Sequence, residues 1–339
     1  MRDAVFECSE ISRIRRSWSS EEIQNYIRSL PLWTGAVEVS QHFGGLTNRT
    51  YFATDGDGKR YAIRCGVDQY RTRQTSVVQC TLAAHKLGVG PCLRYWEPNL
   101  TITDFIASPV MTEEQIEEPA MMAHVIERMK LLHANSDAIA ETISYWWPFH
   151  TIRRYLNTME RGVAASDFQP SAWVGDVPYF RDVTDRLERA IRPFIPVFTH
   201  NDLAYVNMMF NPKGEVLFID WDAGAYGNPK SDIADMLTWI DADDAMDRYA
   251  VATYFADADS AEIEATLHEV RAFKMMSMLR VLGEVMITLL DPDYFVSQQE
   301  YAIGMKEYFP DEEPRLAGLL DMLHPKFDRD WASYGANYS

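Results

Sequence analysis

The chain has 339 residues, of which 47% are hydrophobic, and its formal net charge is -18. A chain of this length and apolar content can bury two cores, so we expect a globular protein with two lobes. Its acidity argues against nucleic acid and anionic membranes as partners, is compatible with a cationic substrate, and leaves the oligomeric state open.

The cysteines and the amino-terminal residues predict where the protein works. Cys8, Cys65, Cys80 and Cys92 form neither a CxxC pair nor a regular framework. We interpret them as reduced thiols and expect no metal site built on them. The amino terminus has no long apolar run, and no later run reaches membrane-spanning length. These features predict a cytoplasmic protein without a membrane partner.

The first hundred residues predict a helix followed by strands. Ser19 and Glu22 form a capping-box pattern at the start of a helix over residues 20–30, which Pro31 ends. Strands are predicted at 37–43, 50–53 and 60–65. A glycine pair between two strands is usually only a turn, but small residues also allow a backbone to approach a phosphate. The candidate phosphate loop consists of Gly44, Gly45, Leu46, Thr47 and Asn48.

Beyond these strands the pattern changes to helices. A helix at 75–86 and strands at 92–96 and 100–105 complete the first lobe, which we place at residues 1–106. The second lobe, at 107–339, is predicted to be mainly helical. Its helices are predicted at 114–135, 183–192, 244–254, 261–290, 297–308 and 313–323. His133, in the first of these helices, is interpreted as a packed structural residue.

The stretch over residues 196–222 carries the chemistry. Two apolar runs, at 197–199 and 216–219, are each followed by polar side chains, and residues 208–219 predict a β-hairpin. His200, Asn201, Asp202 and Asn207 follow the first run, and Asp220 and Asp222 follow the second. Asp202 and Asn207 have the spacing of the kinase catalytic loop H-R-D-x-x-x-x-N, whose Asp takes a proton and whose Asn binds magnesium.

Phosphoryl transfer explains why these residue types occur together. The reaction needs a carboxylate near the attacking hydroxyl and hard oxygen ligands for Mg²⁺. Asp202 can supply the first, and Asn207 and Asp220 the second, with Asp220 placed like the Asp of D-F-G. Alternatively, Asp202 caps a turn and Asp220 ends a strand, because Asp is common in turns. The two motifs in this order, joined by a hairpin, favour the kinase interpretation.

At this point the chain resembles a known family. HNDLAYVN, followed by IDWD and SDIA, is similar to the motifs of the choline and ethanolamine kinases and the aminoglycoside phosphotransferases. Asn201 in the second position is similar to the choline kinase branch. The resemblance implies an α+β fold of the protein-kinase-like bilobal type, with a small β-rich amino-terminal lobe and a larger helical lobe. It also implies ATP- and Mg²⁺-dependent phosphorylation of a small-molecule hydroxyl.

The same resemblance assigns roles in the first lobe. GGLTN is similar to the phosphate loop of choline and thiamine kinase relatives, and Arg64 stands where kinases carry a phosphate-binding lysine. The segment at 101–106 is similar to the family hinge, whose backbone contacts adenine. The implied hinge residues are Thr103, Asp104, Phe105 and Ile106. The glutamate that normally pairs with the phosphate-binding cation is absent, and Gln79 is its candidate replacement.

The acceptor is harder to assign than the reaction. A quaternary ammonium is held by aromatic faces and nearby carboxylates. The candidate acceptor aromatics are Tyr145, Trp146, Trp147, Trp221, Tyr226 and Trp239, and the candidate acids are Asp222 and Asp235. For any single ring, ordinary packing is the simpler interpretation. An amino alcohol such as choline or ethanolamine is the leading acceptor, followed by an aminoglycoside, thiamine or another hydroxyl-bearing metabolite.

Two departures from the choline kinase pattern keep the alternatives open. The glutamate expected shortly after DIA is Thr238 or Trp239 here, and the expected tryptophan pair of the later helix is replaced by a stretch containing Arg280 and Glu284. The alternative from another class is a nucleotide-binding pseudokinase, which the missing first-lobe glutamate supports. The intact set of Asp202 with its two metal candidates opposes it.

Overall fold

The computed structural model describes residues 14, 18–43, 48–66, 74–97, 99–139, 143–165, 176–240, 242–290 and 325–334. The described residues divide into two compact units. The first reaches Ser108 and includes a short stretch near Ile143, and the second contains the other residues from Pro109 onwards. The predicted phosphate loop at 44–47 and the helices predicted at 297–308 and 313–323 lie outside the described residues.

The first unit is built on an antiparallel sheet with the strand order β1-β2-β3-β5-β4. The strands are β1 (Glu38–His42), β2 (Asn48–Thr54), β3 (Arg60–Gly66), β4 (Leu93–Glu97) and β5 (Leu100–Asp104). Alternation along β2 and β3 buries Tyr51 and Ile63, which are direct cross-strand partners. Because strand residues alternate between faces, one face of the sheet forms the core of this unit.

Two helices accompany the sheet. Helix α1 (Ser20–Arg28) buries Ile23 and Ile27 in the same core as the strands, and helix α2 covers Gln74–Lys86. The predicted capping box is confirmed, because Glu22 accepts the Ser19 backbone N–H at 2.7 Å and the Ser19 hydroxyl accepts the Glu22 N–H. These bonds satisfy backbone donors that a helix start leaves without partners.

The second unit is mainly helical, which confirms the predicted fold class. Its helices are α3 (Glu113–Glu117), α4 (Pro119–Ala134), α5 (Pro148–Ala165), α6 (Val177–Arg189), α7 (Pro229–Trp239), α8 (Asp244–Tyr254) and α9 (Ser260–Leu290), and residues 325–334 are also helical. The long helix α9 packs against α5 and α7. No helix among the described residues is both long and apolar enough to cross a bilayer.

One helix prediction was wrong. The single helix expected over residues 114–135 is divided into α3 and α4 at Glu118, whose ψ of 121° is extended. The cause is Pro119, which has no backbone N–H and disfavours helical geometry in the residue before it. Proline is well suited to the first turn of a helix, so α4 starts there instead.

Two small pairs of strands carry the polar loops of the second unit. Strand β6 (Val197–Thr199) pairs with β9 (Ala225–Gly227), and β7 (Met208–Phe210) forms a hairpin with β8 (Val216–Phe218). The predicted hairpin is therefore confirmed, with Gly214 at a φ of 81° in its turn. A bond from the Ile219 N–H to the Asn207 carbonyl extends this ladder by one step.

Candidate active site

The loop after β6 is held from below by one buried carboxylate. Asp232, on α7, is fully buried and accepts the backbone N–H groups of His200 at 2.8 Å and Asn201 at 2.7 Å. His133 contacts the same carboxylate through Nε2 at 2.9 Å. Asn201 has a φ of 61°, so the chain reverses sharply here. Buried N–H groups require partners, and Asp232 supplies them for this turn.

His200 connects the loop to the second strand pair. Its Nε2 lies 2.8 Å from the Ile219 carbonyl, and its ring packs 4.5 Å from that of Trp221. Burial lowers the pKa of His200, so the imidazole is neutral near pH 7 and its Nε2–H donates to the carbonyl. His200 is thus a structural link. Trp221, a candidate acceptor residue, is only 3% exposed and packs behind the loop.

Asp202 is oriented by two donors on opposite sides. The Nδ2 of Asn207 donates to the Asp202 backbone carbonyl at 2.8 Å and lies 3.3 Å from its Oδ2. The Nη2 of Arg280 donates to Asp202 Oδ1 at 2.7 Å. The Asp202 side chain keeps 31% of its surface exposed, so another molecule can reach it. This combination of fixed orientation and access is what a catalytic carboxylate requires.

The residues predicted to hold a metal lie at one end of the hairpin. The Asn207 carbonyl accepts the backbone N–H of Ile219, so Asn207 lies close to Asp220, the residue after Ile219. Asp220 is exposed, and its backbone is in the left-handed region with a φ of 60°. Because Asn207 turns its nitrogen towards Asp202, its Oδ1 is the atom suited to a cation. Among the described residues there is no cluster of three or more acidic, His or Cys side chains that could hold a metal alone.

This pair of oxygen donors fits a magnesium ion that is bound together with phosphates. Magnesium that is bound together with a phosphate uses one or two protein ligands and completes its shell with water and phosphate oxygens. Asn207 and Asp220 supply two hard oxygens of the required type.

A pocket adjoins the base of the loop. Asp235 is 3% exposed and Arg280 is 7% exposed, and Ser277 donates a hydrogen bond to Asp235. The pocket has about 250 Å³ of empty space including its open mouth, and its lining residues are Trp146, Pro148, Asn201, Ser231, Asp235, Phe273, Met276, Ser277 and Arg280. A small acceptor that enters here would lie beside the group that contacts Asp202.

The charges on this wall influence each other. Burial raises the pKa of Asp235 to about 6, and the positive charge of Arg280 opposes part of that rise. Burial also acts against the charge of Arg280, but the carboxylates of Asp202 and Asp235 outweigh it and raise the pKa of the guanidinium. Arg280 is therefore a permanent cation inside the pocket, and Asp235 is mostly ionised above neutral pH.

The remaining aromatic candidates lie in different surroundings. Trp147 donates Nε1 to Glu188 at 2.6 Å and stacks on Phe194. Tyr226 lies in β9 opposite Phe198, and Trp239 ends α7. Asp222 is partly buried in the turn after β8. Of the predicted acceptor residues, Trp146 and Asp235 are among those that line the pocket.

The sequence patterns missed part of the pocket lining. Pro148, Phe273 and Ser277 belong to no motif, and Arg280 was noted with Glu284 as a possible buried pair or substrate contact on an otherwise apolar helix. Regular spacing on α9 was the available signal. Ser277, Arg280 and Glu284 are three and four residues apart, so they share one helical face.

The first unit contains the residues predicted to bind nucleotide. Arg64 is half-buried in β3, between Thr50 of β2 and Thr101 of β5 in register. Asn48, the last residue of the predicted phosphate loop, is buried at the start of β2. The pairing of Arg64 with Gln79 stays a prediction.

The hinge residues are joined to the sheet through their backbone and side chains. The N–H of Asp104 donates to the Cys92 carbonyl and that of Phe105 to the Arg60 carbonyl. Asp104 also forms an ion pair with Arg94, and Arg60 lies 3.7 Å from the centre of the Phe105 ring. Thr103 pairs with neighbouring strands, so the chain beyond Phe105, including Ile106, is the part suited to bind a base edge.

Comparison with known proteins identifies relatives of this chain. The sequence pattern of the family described as choline/ethanolamine kinase matches residues 39–279. Choline kinase B2 of Caenorhabditis elegans is 23% identical over 211 residues, which cover 58% of this chain and 56% of that protein. The chain therefore spans little more than half the length of this relative.

Solved structures show the same fold. A choline/ethanolamine kinase family protein from Mesorhizobium loti superposes with a TM-score of 0.63 at 20% identity, covering 93% of this chain and 98% of the other. The choline kinase LicA from Streptococcus pneumoniae, in complex with AMP, gives a TM-score of 0.61 at 17% identity, with coverage of 88% and 98%.

Proposed function

Because the chain belongs to the choline/ethanolamine kinase family, we propose that it transfers the γ-phosphoryl group of ATP, in the presence of Mg²⁺, to a hydroxyl of a small molecule. The observation that carries this proposal is the geometry of Asp202. It is a partly exposed carboxylate, fixed by Asn207 and Arg280, in a loop that Asp232 anchors. A turn-capping aspartate would not need donors from two separate elements.

In this mechanism Asp202 positions the acceptor hydroxyl and accepts its proton as the phosphoryl group is transferred. Asn207 and Asp220 would hold Mg²⁺, and Asn207 also keeps the backbone of Asp202 in place. When bound, the metal neutralises charge on the transferring phosphates. His200 stays neutral and takes no part in proton transfer, because burial lowers its pKa.

The nucleotide would be held by residues of the first unit. Arg64 would contact its phosphates together with the loop from Gly44 to Asn48. The hinge residues Thr103, Asp104, Phe105 and Ile106 would bind the adenine edge through backbone atoms. The AMP complex of the pneumococcal relative supports adenine nucleotide binding by this fold.

An amino alcohol such as choline or ethanolamine is the leading acceptor class. The family supports it, and so does Asp235, a mostly ionised carboxylate on the pocket wall. Trp146 and Phe273 provide aromatic surface in the same pocket. An aminoglycoside, thiamine or another hydroxyl compound is the next candidate, on family resemblance alone.

The test is acceptor-dependent ADP release with Mg-ATP over a panel of amino alcohols, aminoglycosides, thiamine and sugars. Asp202→Asn should lower kcat by about 10²–10⁴-fold, the usual contribution of a positioned acid or base. ATP affinity, measured by calorimetry, should stay close to that of the wild type. The matched control is Asp244→Asn, which changes a carboxylate that is 81% exposed on α8.

Each result has a distinct meaning. Near-normal turnover by Asp202→Asn would remove that residue from the mechanism. Tight ATP binding without turnover of any acceptor would favour the pseudokinase alternative.

A further inference from the structure

The acceptor pocket presents two buried charges of opposite sign. Asp235 and Arg280 both line it, and both are less than a tenth exposed. Burying a charge is costly unless it is paired, so polar partners at these positions need an explanation. Ser277 donates to Asp235, and Arg280 donates to Asp202. Asp235 and Arg280 therefore lie on the same wall of the pocket but form hydrogen bonds to different neighbours.

Arg280 has more donors than its neighbours use. A guanidinium carries five N–H donors in a planar fork that matches a carboxylate. The hydrogen bond of Arg280 goes from Nη2 to Asp202, and its Nη1 lies 3.6 Å from Glu284 Oε1, beyond hydrogen-bond length. A carboxylate entering the pocket could therefore be bound by the same guanidinium.

A simple ammonium alcohol would match only one of the two charges. Its cation would be attracted by Asp235 and repelled by Arg280, whose charge is permanent. A simple hydroxy acid would meet the opposite conflict. A molecule with both an ammonium and a carboxylate satisfies both sides. A single guanidinium matches one carboxylate and favours it over anions of higher charge.

We propose that the acceptor is a small hydroxyl-bearing amino acid, whose carboxylate binds Arg280 and whose ammonium group faces Asp235. Arg280 is thereby a specificity-determining residue next to the catalytic Asp202. This proposal rests on the proposed kinase function and narrows its acceptor class from amino alcohols in general to zwitterionic ones.

The experiment compares kcat/KM for acceptors that differ in charge. The panel contains zwitterions (serine, homoserine, threonine, carnitine), cations (choline, ethanolamine), anions (glycolate, glycerate) and neutral glycerol. The wild type should use its best zwitterion at least about 10-fold better than any cation or anion. Arg280→Met should lower kcat for every acceptor, because Arg280 also orients Asp202, and should lower kcat/KM for the zwitterion by about a further 100-fold through KM, as expected when one partner of a buried charge pair is removed.

Two further variants separate specificity from folding. Arg280→Lys keeps the positive charge and should retain part of the zwitterion preference. Arg271→Met removes another arginine of α9, one that bonds to Asp244 and not to Asp202, and should leave the preference unchanged. The melting temperature of each variant is measured alongside.

Preference of the wild type for choline or ethanolamine over every zwitterion would overturn the proposal and leave the kinase function intact. An equal loss for all acceptors in Arg280→Met would also overturn it, because that result assigns Arg280 a structural role. Turnover of an aminoglycoside, thiamine or a sugar but of no zwitterion would overturn the proposal alone, whereas ATP binding without turnover of any acceptor in either panel would refute the kinase function itself.

Discussion

Replacing Asp232 with asparagine tests whether one buried carboxylate holds the catalytic loop. Asp232 is not among the residues that line the pocket, so we expect its effect on activity to pass through the loop. Its two oxygens accept from the backbone N–H groups of His200 and Asn201, and His133 contacts Oδ2. Asparagine has nearly the same shape but only one accepting oxygen, so at least one buried N–H would face an amide NH₂ group.

The expected cost follows from those bonds. A hydrogen bond to a charged group contributes about 1.5–3 kcal/mol, and a buried donor left without an acceptor costs about 1–3 kcal/mol. We expect Asp232→Asn to destabilise the second unit by about 3 kcal/mol. For a unit of this size, that loss lowers Tm by about 6–12 °C.

The assay combines thermal unfolding with amide hydrogen exchange. In the variant, amides 200 and 201 should exchange at least about tenfold faster than in the wild type, because local opening costs less free energy. kcat should fall more than ATP affinity. Asp244→Asn, the same chemical change at an exposed ion pair, should shift stability by no more than about 1 kcal/mol. An unchanged Tm together with wild-type exchange at amides 200 and 201 would refute the anchoring role.

Three further predictions concern burial and close packing. Burial raises the pKa of Asp235 from 3.8 to about 6, so the folded state binds this proton more tightly than the unfolded state does. As the pH rises from 4 to 7, the free energy of unfolding of the wild type should therefore fall by about 2–3 kcal/mol relative to that of Asp235→Asn, measured by urea unfolding. Burial also raises the pKa of the Cys65 and Cys80 thiols, so a thiol reagent should modify Cys92 before either of them in the native protein. A Cβ added at Gly227 would lie 2.6 Å from a threonine hydroxyl of β6, so Gly227→Ala should lower both Tm and kcat; a wild-type kcat would show that β6 tolerates the shift.

Features that depend on neighbouring residues could be predicted from the sequence. The capping box at Ser19 and the hairpin around Gly214 both formed where the sequence indicated. Each depends on bonds between residues no more than ten positions apart. The same local logic explains the helix error at Pro119, because the steric effect of proline was present in the sequence but outweighed by the apolar periodicity.

Features that depend on distant residues could not be predicted in the same way. The motif identified Asp202, but its partner Arg280 lies 78 residues further along the chain. The carboxylate that anchors the loop, Asp232, is 32 residues from His200 and was noted only as part of SDIA. Periodicity on α9 places Ser277 and Arg280 on one face, but only the packing of α9 against α7 shows what that face contacts.

The charge of the site connects the acceptor to the catalytic residue. Asp202, Asp235 and Glu284 surround Arg280, so three carboxylates and one guanidinium leave a formal charge of -2 when all are ionised. That excess attracts an ammonium group, and the negative charge of Asp202 adds to the effect of burial in raising the pKa of Asp235. The net negative charge of this site repels a carboxylate. An acceptor that carries a carboxylate must therefore be bound by Arg280 in particular. We therefore expect one guanidinium, rather than the overall acidity of the chain, to decide between choline and a hydroxyl-bearing amino acid.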